Sequence, residues 1–105
     1  MEHITLTCPA TRRMGSIGAA RVGVVASGDM EVLLQSAPED ELHVKIITSV
    51  DNSRERWSAL MERISTMTGL PGGRMIVHDF GATPGVARLR VEQAVEAVNE
   101  EANHD

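Results

Sequence analysis

The chain lacks most of the parts that carry chemistry by themselves. Its 105 residues include one cysteine, Cys8, which excludes an internal disulfide and any cysteine-only metal site. The four histidines (His3, His43, His78, His104) are scattered, and no pair has the spacing of a metal-binding helix, so no metal site is expected. Tyrosine is absent, and Trp57 and Phe80 alone cannot build a platform for stacking bases. Positive charge is in deficit, with 10 Lys and Arg against 15 Asp and Glu and a formal net charge of −5. That balance argues against a general nucleic-acid binder and against a surface that docks on anionic lipid. No apolar run approaches the ~18 residues of a membrane span. The first residues lack the basic start and apolar stretch of a secretory signal. The expectation is a soluble cytoplasmic protein with no nucleic-acid or membrane partner.

What is present is an ordinary globular balance, 42% hydrophobic and 24% charged, at a length that buries a real core. A single domain over residues 1–105 is expected, with no internal repeat. Ile4, Leu6 and Cys8 alternate with Thr5 and Thr7, the period of a strand with one buried face. Residues 9–19 hold Pro, Gly, Ser and two adjacent arginines and read as a mobile loop. Two β-rich runs, Arg21 to Ala26 and Met30 to Leu34, flank Ser27-Gly28-Asp29, which is a hairpin signal. Gly28 supplies the positive φ that such a turn needs. Leu42 to Val50 reads as a further strand, with Leu42, Val44 and Ile46 on one face and His43 and Lys45 on the other.

The period then changes. Trp57, Leu60, Met61, Ile64 and Met67 fall on one helical face, with Asn52 or Ser53 as N-cap and Gly69 to Gly73 as terminator. Met75 to Phe80 reads as a short buried strand, so strand, helix and strand imply a right-handed crossover and a parallel pair. Thr83 caps the last helix and Pro84 fits its first position; Ala87, Val91, Ala94, Val95 and Val98 make its apolar stripe. Residues 100–105 form an acidic, frayed tail. The fold class is α+β: a mixed sheet in the order β-β-β-β-α-β-α with two helices on one face.

Two places invite chemistry. Ser27 sits beside the hairpin turn, where spacing alone makes it a turn serine. No Gly-x-Ser-x-Gly elbow surrounds it, since Val25 and Asp29 stand two residues away on either side. The second place is His78 to Gly85, a loop from a strand's carboxyl end into a helix N-terminus. Such a place offers N–H groups and a positive dipole end to phosphate or carboxylate, although turn chemistry alone accounts for it. It lacks the Lys-Ser or Lys-Thr of a Walker loop. His78 and Asp79 are adjacent in a strand and face opposite ways, which disfavours an acid–base pair. Arg88 and Arg90, one turn on, are arginines that hold a phosphate or lie on a solvated helix face.

These residues carry a resemblance. Val24 to Leu34 with Ser27-Gly28-Asp29, Thr48-Ser49-Val50 ahead of Trp57, and Asp79-Phe80-Gly81-Ala82-Thr83-Pro84-Gly85 with Arg88 to Gln93 resemble the acyl carrier (delta) subunits of malonate decarboxylase. The resemblance runs from near Ala20 to near Val98. Ala26 departs from the glycine common there in the family and leaves the serine in place. The resemblance implies that Ser27 carries a 2'-(5''-phosphoribosyl)-3'-dephospho-CoA arm through a phosphodiester, supported by the turn residues Gly28 and Asp29. The arm's thiol would hold acetyl or malonyl as a thioester while malonate is decarboxylated to acetate. Asp79, Gly81, Thr83, Gly85 and Arg88 would then contact the arm or a partner. The implied partners are the transferase (alpha) and decarboxylase (beta and gamma) subunits, a malonyl transacylase, and the phosphoribosyl-dephospho-CoA transferase that attaches the arm. The citrate lyase carrier subunit is similar in using the same arm. A four-helix acyl carrier is a poor match, because this chain opens with strands and has Ser27-Gly28 instead of Asp-Ser-Leu at a helix start. On this reading the chain is a carrier without catalytic residues of its own.

Two rival readings remain at the level of sequence. One is a small-anion-binding regulatory domain of ferredoxin-like type, resting on the mixed sheet and the helix start at Thr83. The other is a small enzyme using Ser27 with His78 or Asp79, which requires those groups to converge.

Overall fold

The computed structural model describes residues 1–12 and 17–102, with the backbone alone for 101–102. The elements are β1 (Glu2–Pro9), β2 (Ala19–Gly23), β3 (Met30–Ala37), β4 (Glu41–Thr48), α1 (Arg54–Met67), β5 (Gly72–Asp79) and α2 (Pro84–Ala102). The five strands make one sheet in the order β1-β4-β5-β3-β2. The β4–β5 pair is parallel and the other three pairs are antiparallel. The expected α+β class, element order and parallel pair joined through a helix are all found. The order β-β-β-β-α-β-α is not the split βαβ repeat of a ferredoxin-like domain.

Alternation within each strand sends one set of side chains to a single face. Ile4, Val44, Met75 and Val32 point there, and α1 and α2 cover them. From α1 come Trp57, Met61 and Ile64, and from α2 come Val91, Ala94, Val95 and Val98. The helix α2 lies over β2 and β3, and α1 lies near β1. The opposite sheet face carries His43, Lys45, Arg74 and Ile76 and stays open. Burying a Leu, Ile, Val or Met side chain contributes roughly 1.5–3 kcal/mol, so this face supplies most of the cohesion.

Several local details differ from the sequence reading. Met67 leaves the apolar stripe of α1, being 62% exposed at the helix end. β5 begins at Gly72, earlier than Met75, because Gly72 and Gly73 pair with Ala37 and Ser36. A Cβ at Gly72 would stand 2.0 Å from the carbonyl oxygen of Glu39 in the β3–β4 connection, and one at Gly73 2.1 Å from that of Gln35 in β3, so close backbone approach requires both glycines, and the φ of 126° at Gly73 adds to the requirement there. Gly69, at φ 89°, is the residue that ends α1. Ser53 occupies the N-cap of α1 but makes no side-chain capping bond there; its hydroxyl donates to the Val50 carbonyl at 3.1 Å. The carboxylate of Glu2 instead accepts the Asn52 and Ser53 N–H groups, each at 3.2 Å.

Of the loop expected over residues 9–19, Pro9 closes β1 and Ala19 opens β2. Between them, the Ala10 N–H donates to Asp40 and the Thr11 and Arg12 N–H groups donate to Leu70. Residues 13–16 lie outside the described residues, as do residues 103–105 of the acidic tail; Glu100 is still helical.

Candidate functional site

The Ser27 segment joins β2 to β3. The Asp29 N–H donates to the Ala26 carbonyl at 3.0 Å, closing a β-turn with Ser27 and Gly28 at its two central positions. Gly28 has φ 78°, which the second central position of a type II turn demands and which a side chain resists. Ser27 is therefore exposed, and its hydroxyl has no partner among the described residues. Ser36 is the contrast. It is fully buried in β3, and its Oγ accepts the Gly18 N–H at 2.9 Å.

The turn is exposed but anchored. The Gly28 N–H donates to the Phe80 carbonyl at 2.8 Å, and the Phe80 N–H donates to the Asp29 carbonyl at 3.0 Å. Those two bonds extend the β3–β5 ladder past the end of β5 and set Ser27 beside the loop that enters α2. The Asp29 side chain adds a second anchor. Its Oδ1 accepts the Met30 N–H at 2.7 Å, and both its oxygens accept from Arg90 of α2, at 3.2 and 3.1 Å. The Arg90 hydrogen bonds, then the Met30 N–H, hold the Asp29 carboxyl below its ordinary value. Gly23 permits this approach of β2 to β3 and α2: a Cβ there would stand 2.0 Å from the Met30 carbonyl oxygen and 3.4 Å from Arg90 Cδ.

Asp79 is buried at 3% exposure and organises the second loop. Its Oδ1 accepts the Gly81 and Ala82 N–H groups at 3.1 and 2.9 Å, and its Oδ2 accepts the Thr48 hydroxyl at 2.9 Å. Gly81 turns the chain with φ 88°. Thr83 then caps α2 in the expected way: its Oγ1 accepts the Val86 N–H at 3.2 Å, and its carbonyl accepts the Ala87 N–H. Pro84 has no N–H to satisfy, which leaves the Gly85 N–H without an acceptor among the described residues.

His78 and Asp79 point to opposite faces, as their adjacency requires. His78 lies on the open face, with Nδ1 3.9 Å from Glu31 Oε1. Asp79 Oδ1 is engaged by the loop and Oδ2 by Thr48 of β4, so Ser27, His78 and Asp79 do not converge and the small-enzyme reading loses its geometry. Cys8 is half-buried in β1, and desolvation raises its thiol pKa above the ordinary 9.0.

Two concavities adjoin the α2 start. A small cavity of about 70 Å³ is lined by Trp57, Leu60, Asp79, Ala82 and Ala87, among others. Outside it runs a groove of about 430 Å³ between α1 and the first turn of α2, edged by Arg56, Arg63 and Arg88 with Leu60, Pro84 and Gly85. Arg88 also pairs with Glu92 at 2.8 Å. Sequence reasoning singled out Arg88 but missed Arg90 as the Asp29 anchor, and missed Arg56 and Arg63. Arg56 and Arg63 were legible as residues seven apart on one helix, whereas Arg90 is 61 residues from Asp29 and no local signal joins them.

Comparison with known proteins agrees with this frame. The sequence pattern of the family described as malonate decarboxylase delta subunit (MdcD) matches residues 17–98. A malonate decarboxylase acyl carrier protein of Klebsiella pneumoniae is 57% identical over 104 residues, 99% of each chain. One from Azotobacter vinelandii is 51% identical, covering 94% of this chain and 98% of its own. Among solved structures, a chain of a Pseudomonas malonate decarboxylase hetero-tetramer in complex with malonate superposes with a TM-score of 0.82 at 43% identity. The match covers 93% of this chain and 99% of that one.

Proposed function

The chain belongs to the malonate decarboxylase delta subunit family, and from that premise we propose that it serves as the acyl carrier of such an enzyme, with Ser27 as the attachment point of its prosthetic arm. It is a carrier and not a catalytic subunit. The observation that carries the site assignment is the pairing of exposure with anchoring. Ser27 stands at the tip of a β-turn whose next two residues are fixed to Phe80 and Arg90.

Each part of that geometry suits a carrier. An exposed hydroxyl at a turn tip is open to a separate modifying enzyme, which supplies the base that no described residue offers to Ser27. The site also has room for the arm: nothing lies within 4 Å of where a Gly28 Cβ would stand. The anchors keep the attachment point fixed relative to the sheet, so that the arm and not the turn supplies the reach. When bound, a phosphoribosyl-dephospho-CoA arm supplies a thiol that forms acyl thioesters, which explains why a half-buried thiol with a raised pKa at Cys8 need take no part. Tethering raises the effective concentration of the acyl group at each partner site. The partners are the transferase and decarboxylase subunits of the complex, a malonyl transacylase, and the enzyme that attaches the arm.

Ser27→Ala tests the reading. Produced together with the attaching enzyme, the variant should fold with an unchanged circular dichroism spectrum and keep the mass of the bare chain, whereas the wild type gains the arm. A Ser27→Ala protein that still gains the arm sinks the assignment.

A further inference from the structure

We propose that the groove between α1 and the start of α2 is a diphosphate-binding site, formed by Arg56, Arg63, Arg88 and the Gly85 N–H, and that its ligand is the diphosphate of the arm borne on Ser27. The proposal rests on the reading of Ser27 as the attachment point.

The charge distribution is the first reason. The chain carries a net charge of −5 with ten basic residues, yet three arginines edge this one groove and no carboxylate lines it. Arg56 and Arg63 are seven residues apart on α1, a rise of about 10 Å, so they stand along the groove and not at one point. Neither meets a carboxylate among the described residues. Arg88 gives its Nε to Glu92 and its Nη2 to Met67 Sδ, which leaves Nη1 without a partner among the described residues. Arg56 and Arg63 stand unneutralised on one wall of the groove and Arg88, paired on one side with Glu92, on the other, so the groove holds an excess of positive charge that an anion between them would offset. Arginine's planar fork fits phosphate oxygens in particular.

The backbone adds a donor of the same sense. Thr83 takes up the Val86 and Ala87 N–H groups, and Gly85 is left with its N–H unpaired on the groove wall. Nothing lies within 4 Å of where a Gly85 Cβ would stand, so a ligand can approach that N–H closely. Position selects the source of the phosphate. Phe80 is bonded to Gly28, and Pro84 is four positions after Phe80, a span of at most about 14 Å. An arm that starts at Ser27 is therefore held at high local concentration beside the groove. Docking its diphosphate there restrains the nucleotide part of the arm and leaves the thiol end to reach a partner's site.

The test uses isotope-labelled full-length protein, bare and arm-loaded, with Arg56→Ala/Arg63→Ala as the variant. Both arginines are exposed, so the double variant should stay folded. Mass measurement first establishes the adduct on Ser27. Loading should then shift the Gly85 amide and the Arg56, Arg63 and Arg88 Nε–H resonances, and should move the diphosphate phosphorus resonances from their free positions. The double variant, equally loaded, should return the phosphorus resonances to the free positions. Bare wild type titrated with dephospho-CoA should shift the same groups weakly, and the double variant should bind about ten-fold less tightly, the equivalent of about 1.4 kcal/mol. Loaded protein with Ser27 modified but these resonances unmoved overturns the groove and leaves the attachment site standing. Tight dephospho-CoA binding by bare protein, with no shift on loading, would assign the groove to a free nucleotide and overturn the arm as its ligand. A chain that gains no adduct on Ser27 overturns the attachment reading itself, and the arm as ligand with it.

Discussion

Replacing Asp79 separates a scaffold from an acid. The carboxylate accepts three hydrogen bonds, from the Thr48 hydroxyl inside the core and from the Gly81 and Ala82 N–H groups at its edge. A hydrogen bond to a charged group contributes roughly 1.5–3 kcal/mol net, and an orphaned buried donor adds its own desolvation cost. Allowing about 2 kcal/mol for the buried Thr48 bond and about 1 for each half-exposed N–H, Asp79→Ala should cost about 4 kcal/mol. That is a large fraction of the 5–15 kcal/mol typical of a whole domain. Asp79→Asn should cost only about 1 kcal/mol, because its oxygen still accepts both N–H groups and its amide can donate to Thr48 Oγ1. In urea unfolding, with a slope of roughly 1–3 kcal/mol per molar, the alanine variant's midpoint should fall by more than about 1 M and the asparagine variant's by much less. Loading of the arm should survive in Asp79→Asn. An asparagine variant as stable as wild type that cannot be loaded would show that the carboxylate acts chemically, and an alanine variant within about 1 kcal/mol of wild type would refute the hydrogen-bond account.

The remaining predictions concern the same two loops. Gly81→Ala should destabilise by about 1–2 kcal/mol despite the open space around it, because its φ of 88° is left-handed. Gly85→Ala has neither the space problem nor a positive φ and should stabilise by up to about 1 kcal/mol in thermal unfolding. Thr83→Ala removes the cap of α2 and should cost about 1 kcal/mol in the same assay. The Asp29 carboxyl, followed by carbon NMR, should titrate below its ordinary 3.8 and return toward it in Arg90→Gln. Because the folded value is the lower one, the stability that this pair contributes is present above the unfolded value and lost as pH falls through the folded value. In the loaded protein a thiol-specific reagent should consume the arm's thiol well before Cys8, whose raised pKa keeps its thiolate scarce.

Much of this was legible in the sequence where a pattern is local. The Leu42 to Ile46 alternation and the Ala87 to Val98 stripe each carry their own period, and each stands where that period put it. The turn at Ser27-Gly28-Asp29 also stands where expected, but the strand before it is Ala19–Gly23 and not the valine-rich run Arg21 to Ala26, because pairing with β3 stops at Gly23. Thr83 and Pro84 announced the start of α2 for the same reason. What could not be read is what distance in the chain conceals. β1 pairs with β4, 32 residues or more away in sequence, and only the folded sheet makes them neighbours. The Asp29–Arg90 anchor spans 61 residues. Gly72 and Gly73 looked like part of a helix terminator, because a glycine demanded by close strand approach is indistinguishable in sequence from one demanded by a turn. Asp79 looked like a candidate contact for the arm, and its three acceptor bonds became visible only once Thr48 lay beside it.

The central claim is that the chain bears its arm on the one exposed serine of the β2–β3 turn. Its most direct test is fragmentation of the tryptic peptide Val22 to Lys45 from protein produced with its attaching enzyme, because that peptide holds both Ser27 and the fully buried Ser36. The account predicts a phosphorus-containing, thiol-bearing adduct on Ser27 and an unmodified Ser36. An adduct on Ser36 or elsewhere in the chain, with Ser27 bare, would contradict it.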